Sequence, residues 1–353
     1  MADKFRVGFI GVGRPWRTEG ATGFGMAYSH AAGYAKLPDC ELVACADISE
    51  ENAKAFAERF SVPATYTDYN QMLAEEKLDV VSICTWPHLH ARMVIDSAKA
   101  GVRAIHCEKP MAVTWGEALS MARCCEERGV QLTFNHQRRF LEPFQRAKKL
   151  LKDGLIGQMK RIEGACDNIY DWGTHWLDMF FFFNDETPPE WVIAQIDARR
   201  ERKVFGVPLE NQAVVDFQFT NGVRGLLQTG DGADVGYANR LVGSEGVIEL
   251  RWEQPVLNVL GGGHGRWTVV EVAEGLHDGV AIDRAIADVV DALKTGREPE
   301  LSARRALHAT EVFFAAYESS RRRGRVDLPL DAYDSAFQTM LESKMIGPGV
   351  SKG

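Results

Sequence analysis

The first strand of this chain, Phe5 to Ile10, is apolar but for Arg6 and runs directly into Gly11-Val12-Gly13. The same grammar then repeats. Strands are predicted at Glu41–Ala46, Leu78–Cys84, the run from Val102 into Glu108, and Gln131–Phe134. Helices are predicted between them at Gly25–Leu37, Ser49–Phe60, His88–Ala100 and Trp115–Arg128. Near-continuous apolar strands bury both faces, and parallel strands need long crossovers, so this alternation requires a parallel sheet covered by helices on both sides.

After about residue 137 the pattern changes. A helix, Pro143–Lys152, leads to a strand, Met159–Cys166, and then to alternating segments at Trp191–Arg199, Gln212–Phe219 and Gly222–Leu227. Ala213, Val215, Phe217 and Phe219 share one face, with Asp216 and Gln218 on the other. Thr220-Asn221-Gly222 reads as a hairpin turn. Arg240–Leu250 and Trp267–Val272 add strands, helices follow at Ala281–Lys294 and Ala303–Arg322, and a polar, Gly-rich tail ends the chain. The expected architecture is α/β: a parallel-sheet domain over 1–137, then an α+β domain over 138–353 with a large open, antiparallel or mixed sheet.

Composition narrows the functions. A formal charge of −8, from 41 basic against 49 acidic residues, argues against a nucleic-acid binder. No apolar run is long enough to span a membrane, and the N-terminus lacks the tripartite pattern of a signal peptide. Seven scattered cysteines without a Cys-x-x-Cys pair read as reduced core residues of a cytoplasmic protein, not as a disulfide frame or a zinc site. No metal is expected.

Gly11-x-Gly13 after the first strand lets the backbone turn tightly against a pyrophosphate. Trp16 stands where a third glycine belongs, so Arg14–Phe24 reads as an insertion, with Gly25 resuming the helix. The acidic residue expected some twenty positions on is then Asp47, at the end of the second strand. Its carboxylate would accept both ribose hydroxyls and repel a 2′-phosphate, and Ile48 to Glu51 supply no cation, which favours NAD over NADP. Asp47 capping the next helix is compatible with that role.

Two stretches carry candidate chemistry. Glu108-Lys109-Pro110 places a lysine in extended backbone just past a strand, the lip where ligands bind in open parallel sheets, although a surface lysine would look the same. In Asp171-Trp-Gly-Thr-His175-Trp-Leu-Asp178, a helix opening at Asp171 would align two carboxylates and an imidazole on one apolar, buried face. The stripe is either functional or an N-cap, a satisfied core histidine and a salt-bridged aspartate. Together with a nicotinamide, His175 could take the proton of an alcohol, Asp171 could orient it, and Lys109 could stabilise developing alkoxide charge.

Taken together, Gly11-x-Gly13, Asp47, Thr85-x-Pro87-x-x-His90, Glu108-Lys109-Pro110, Arg139-Phe140-x-x-Pro143 and Asp171-x-Gly173-x-His175-x-x-Asp178 resemble the glucose–fructose oxidoreductase/inositol dehydrogenase (Gfo/Idh/MocA) family. Gly243-Ser-Glu-Gly246 and Tyr317-Glu-Ser319 fit as well. The resemblance implies a Rossmann domain followed by a sheet domain that assembles as homodimers or homotetramers. It implies that Lys109 and His175 act on substrate beside Asp171, that Glu108 and Lys109 line the nicotinamide site, and that Thr85 and Pro87 line the cofactor cleft. It further implies a sugar, cyclitol or polyol substrate. His90 is expected at backbone or cofactor. Asn135, His136, Arg139, Tyr170 and Trp172 are candidate sugar contacts, each also explicable as packing or a salt bridge. The family's Gly-Gly before the aspartate–histidine helix is replaced by Asp167-Asn168-Ile169-Tyr170. A redox-neutral lyase, isomerase or glycosidase on the same site, and a non-catalytic NAD-binding regulator, are the competing readings.

Overall fold

The computed structural model describes residues 4–263 and 265–350. The chain forms two compact units. The first comprises the chain up to Val113, Glu117–Gln137 and Gly279–Ala306; the second comprises Thr114–Gly116, Arg138–Asp278 and the chain from Leu307 onward.

The first unit is built on a six-stranded parallel sheet in the order β3-β2-β1-β4-β5-β6. Its strands are β1 (Phe5–Ile10), β2 (Cys40–Ala46), β3 (Ala64–Tyr66), β4 (Val80–Ile83), β5 (Ala104–Cys107) and β6 (Gln131–Phe134). Helices α1 (Met26–Ala35), α2 (Glu50–Phe60), α3 (Tyr69–Glu75), α4 (Pro87–Lys99) and α5 (Trp115–Glu127) connect them. Register decides what this sheet can do. Ile10 pairs with Ala46 and Ile83, Ile83 with Cys107, and Cys107 with Phe134, so the strands end in one row. The next residues in the chain, Gly11, Asp47, Cys84, Glu108 and Asn135, therefore emerge together at the carboxyl edge, where the strand order reverses between β1 and β4.

Local chemistry sets the helix ends. Ser49 accepts a hydrogen bond from Asn52 N at 3.3 Å and caps α2, while Pro87 occupies the first turn of α4. The short edge pair β3 and α3 escaped the sequence pattern because it has no continuous apolar run. Where the sequence suggested two consecutive domains, the chain after Asp278 returns to the first unit as α8 (Val280–Thr295). Ile282, Ile286 and Val290, spaced one helical turn apart, join the core of Ala31 and Tyr34 on α1. Lys36–Asp283 at 2.5 Å and Lys294–Asp39 at 2.6 Å flank that seam.

The second unit carries a nine-stranded mixed sheet. Across it run β16 (Thr268–Val270), β15 (Leu257–Leu260), β14 (Val247–Leu250), β13 (Asn239–Gly243), β7 (Met159–Cys166), β12 (Arg224–Gly230), β11 (Gln212–Phe219), β8 (Pro189–Asp197) and β17 (Val326–Asp327). A small hairpin, β9 (Lys203–Val204) and β10 (Val207–Pro208), stands apart, and α6 (Glu142–Lys152), α7 (Thr174–Phe183), α9 (Ala303–Arg322) and α10 (Ala336–Glu342) complete the helices. The β11–β12 hairpin turns at Asn221-Gly222, with Gly222 at φ 83°, as its sequence requires. Ala213, Val215, Phe217 and Phe219 are buried, while Val214 on the opposite face is 45% exposed. Every residue of α7 is buried, and Phe180 stacks on Phe217 at 5.8 Å between ring centres.

Two expectations are corrected. Arg240–Leu250 is not one strand but the hairpin β13–β14, whose turn is closed by Gly243 N donating to Gly246 O at 2.9 Å; a Cβ at Gly246 would stand 2.2 Å from Leu260 O of the adjoining strand. The polar tail also contains structure: β17 extends the sheet, and α10 begins at Ser335, whose hydroxyl accepts from Gln338 N at 3.4 Å.

Candidate active site

At the carboxyl edge of the first sheet, Gly11 has φ 78°, and a Cβ there would stand 2.3 Å from Thr85 Cγ2. Thr85 therefore packs against the turn itself. Gly13, at φ 53°, faces open space: a Cβ there would meet nothing within 4 Å. Its N–H donates to Asp47 Oδ2 at 2.8 Å, and Asp47 Oδ1 accepts from Ser49 N at 2.9 Å. Helix α1 starts from Gly25 in the left-handed region with no side-chain cap. An open turn, an uncapped helix start and a carboxylate at the end of β2 fit the pyrophosphate and ribose of a dinucleotide.

The insertion brings a cation that residues 48 to 51 lack. Arg14 donates from Nε to Asn52 Oδ1 at 3.0 Å and stands 3.4 Å from Glu51. Its guanidinium is therefore already partnered by the first turn of α2. Pro87 opens α4, and His90 is buried with its ring nitrogens 2.9 Å from Pro110 O and 3.1 Å from Thr85 O. Burial lowers its pKa, so the neutral ring donates to one carbonyl at a time and ties the Thr85 loop to the one after β5.

Behind Lys109 lies a polar network that sequence reasoning missed. His30 on α1 is fully buried, with Nε2 2.9 Å from Glu108 Oε1 and Nδ1 2.7 Å from Ser82 Oγ. Asn135 Nδ2 donates to the same carboxylate oxygen at 2.8 Å, and Lys109 N donates to Oε2 at 3.3 Å. Burial opposes charge on His30, but the Cys84 sulfur and the Glu108 carboxylate outweigh it and raise the pKa to about 10. Burial would raise the pKa of Glu108, yet His30, Asn135 and Lys109 hold it down to about 2. Both imidazole nitrogens have acceptors, which supports a buried imidazolium–carboxylate pair. His106, 4.8 Å from His30 between ring centres, is driven the other way by burial and by His30, to about 3. Lys109 itself is partly exposed just after β5, and its bond to Pro110 is cis.

The sign of this pair is testable. Imidazolium stabilisation is complete below the ordinary pKa of 6.5 and is lost as pH rises through about 10. Carboxylate stabilisation is complete above 4.5 and is lost as pH falls through about 2. The urea-midpoint difference between wild type and His30→Gln should therefore be largest between pH 4.5 and 6.5 and shrink on both sides. A difference that stays constant into alkaline solution would show that His30 is neutral.

In the second unit, the stretch after β7 does not open as a simple α-helix at Asp171. Ile169–Gly173 forms a π-helical turn with Gly173 N bonded to Asn168 O at 2.7 Å, and α7 follows. Asn168, not Asp171, is the cap: its Oδ1 accepts from Asp171 N at 2.6 Å and Trp172 N at 3.3 Å. Glu210 is fully buried and accepts from Ile169 N at 2.5 Å, holding the start of the turn. Asp171 and His175 are each 4% exposed.

Asp178 departs from the expected functional stripe. Its carboxylate takes both Nε and Nη2 of Arg139 at 2.8 Å, and Arg139 Nη1 reaches Glu186 at 2.5 Å. The Arg139 side chain is 0% exposed. Arg139 is thus the salt-bridge residue that its sequence allowed as an alternative to a sugar contact. Tyr170 is buried edge-on against Phe313 at 5.9 Å, Asn135 belongs to the Glu108 network, and His136 is buried. Only Trp172 of the five candidate contacts is partly exposed. The first unit thus gathers Gly11, Gly13, Asp47, Thr85, Pro87, His90, Glu108 and Lys109, and the second brings Asp171, Trp172 and His175 together.

Comparison with known proteins agrees with this geometry. Residues 5–136 match the model of an oxidoreductase family with an NAD-binding Rossmann fold, and residues 168–249 match the Gfo/Idh/MocA C-terminal domain. The chain is 26% identical over 337 residues to a D-apiose dehydrogenase of Paraburkholderia graminis, covering 85% of this chain and 86% of that one. It is 24% identical over 345 residues to a myo-inositol 2-dehydrogenase of Thermotoga maritima, covering 92% and 98%. Among solved structures, a levoglucosan dehydrogenase in complex with NADH superposes with a TM-score of 0.80 at 21% identity, over 93% of this chain and 100% of that one. An open glycine turn, an acid ending β2 and matched domains along the chain lead to one assignment: this protein is an oxidoreductase of the Gfo/Idh/MocA family, with an NAD-binding Rossmann domain at residues 5–136.

Proposed function

We propose that this protein is an NAD-dependent dehydrogenase that oxidises a ring hydroxyl of a sugar, glycoside or cyclitol, or reduces the matching ketone. The observation that carries this reading is Lys109, partly exposed just past the carboxyl end of β5, in a chain whose full-length relatives include apiose and inositol dehydrogenases. When bound, NAD supplies the hydride acceptor. His175 takes the hydroxyl proton, and Asp171 sets its orientation and stabilises the imidazolium. Lys109 donates to the substrate oxygen and stabilises the charge that develops there. Glu108, fixed by His30 and Asn135, keeps the backbone that carries Lys109 in place. Its buried carboxylate lines the nicotinamide side.

A panel of monosaccharides, methyl glycosides and inositols scored by NADH absorbance tests the reading. NADH that accumulates in proportion to oxidised product supports a net dehydrogenase. Product formed without NADH would move the assignment to a redox-neutral cycle. Binding without turnover of any member would leave a nucleotide-binding regulator.

The carboxylate of Asp47 favours NAD, because a 2′-phosphate would meet its charge. The ratio of kcat/KM for NAD over NADP should exceed about tenfold, which corresponds to roughly 1.4 kcal/mol, and Asp47→Ser should narrow it. A wild-type preference for NADP would overturn this role. All seven cysteines are unbridged, which suits a reducing, cytoplasmic setting. We further expect a homodimer or homotetramer through the nine-stranded sheet, whose outer face exposes Ile193 and Val214. Light scattering would report the mass.

A further inference from the structure

Arg138 occupies an unusual place in the second unit. It is 1% exposed, its guanidinium carbon lies 4.5 Å from the ring centre of Trp176, 5.4 Å from Trp252 and 5.5 Å from Trp172, and one nitrogen donates to Leu276 O. Its buried Nε meets no acceptor, and no carboxylate among the described residues is hydrogen-bonded to it. Burial lowers its pKa to about 9, with partial compensation from Cys166 and Asp171. Three indole rings thus surround a buried cation within cation–π distance.

A cation so held fixes the rings around it. Trp176 is fully buried, but Trp252 is 45% exposed and Trp172 partly so. The two exposed indoles meet edge to face at 5.7 Å and 77°, with the His277 ring 6.3 Å from Trp172. Trp172 directly follows Asp171 in the π-helical turn, so the indole and that carboxylate share one short segment. The result is a rigid, solvent-facing aromatic corner beside the proposed acid–base pair. Its side-chain entropy is lost on folding, not on binding.

The geometry points to Trp172 and Trp252 as a platform that stacks on the C–H face of a six-membered sugar or glycoside ring and so selects cyclic over open-chain substrates. This rests on the dehydrogenase reading and narrows its substrate class. A chair-form pyranose presents a flat patch of C–H groups on one side and hydroxyls around its rim. Indole faces complement the first, and Asp171 and His175 answer the second. A linear polyol has the hydroxyls but no such patch.

Tryptophan fluorescence of the NAD-loaded protein, titrated with methyl pyranosides and with sorbitol, tests this alongside steady-state kinetics. Ring sugars should change the emission and sorbitol should not. Trp252→Ala should lower kcat/KM for the best ring substrate by about ten- to a hundredfold, the scale of losing an aromatic anchor. The loss should fall mainly in KM, with the KM for NAD unchanged, and Trp252→Phe should recover most of it. A Trp252→Ala protein that melts like wild type and stays within twofold of its kcat/KM overturns the platform and leaves the dehydrogenase reading standing. If Trp252→Ala melts early, Trp252→Phe decides: retention of ring selectivity supports the platform, and its loss overturns it. Ring-sugar quenching that disappears in Trp252→Ala, from a protein that makes no NADH, upholds the platform and overturns the dehydrogenase. No response to any ring sugar overturns the platform.

Discussion

Lys109→Ala should lower kcat by about two powers of ten or more, the scale of losing a donor that meets charge developing in the transition state. Residues 104–107 of β5 are wholly buried, whereas Lys109 is partly exposed beyond the strand end, so truncation removes no part of the first unit's core. The contacts that fix Glu108, from His30 at 2.9 Å and Asn135 at 2.8 Å, do not involve the lysine ammonium. Melting temperature should therefore stay close to wild type while turnover collapses. Lys109→Arg keeps the charge but replaces a compact ammonium by a planar fork, and should recover only part of the rate. Measured kcat, NAD affinity by fluorescence titration and thermal melting separate these effects. A Lys109→Ala enzyme that turns over a good substrate near the wild-type rate would remove the lysine from the chemistry.

The parts of this molecule that were legible in sequence are those that short-range patterns determine. Apolar strands alternating with helices require the parallel sheet, and because those strands end in register, Asp47 and Glu108 come to one edge without any need to know the loops. Period-two alternation in β11 and the Asn221-Gly222 turn specify their hairpin equally well. What stayed hidden depends on partners distant in the chain. His30 looks like one polar residue on an apolar helix until Glu108, 78 positions later, is found against it. Arg14 supplies a cation near Asp47 only because the inserted loop folds back on Asn52. The apolar stripe of α8 is obvious, but nothing local says that it covers α1 of the first unit instead of the sheet that precedes it in the chain. The π-helical turn is hidden for a related reason: Asn168 takes the capping role that Asp171 was expected to fill, and only the backbone shows it. The candidate site follows the same division, with the positions of Lys109 and His175 readable and the groups that hold them not.

Arg139→Leu should destabilise the protein by about 3–5 kcal/mol, the range for removing one partner from a buried ion pair. The asymmetry of the cluster decides which variant suffers more. Arg139 serves two carboxylates, Asp178 through two bonds at 2.8 Å and Glu186 at 2.5 Å, so leucine removes the guanidinium from both at once. Burial disfavours the guanidinium charge, but Asp178 and Glu186 reverse this and raise its pKa above the ordinary arginine value, so proton loss offers no relief. Asp178→Asn keeps the shape, removes one charge and leaves Arg139 paired with Glu186; it should cost clearly less. Asp178 lies in α7 one turn beyond His175, so the bridge also bears on the proposed base. Partial restoration of stability in the double variant Arg139→Leu/Asp178→Leu would show that most of the single-variant loss is the cost of stranded charge. Urea unfolding monitored by near-ultraviolet circular dichroism reads all three. Equal midpoints for Arg139→Leu and wild type would mean that the bridge contributes no net stability and that packing of the α7 phenylalanines alone holds the helix in place.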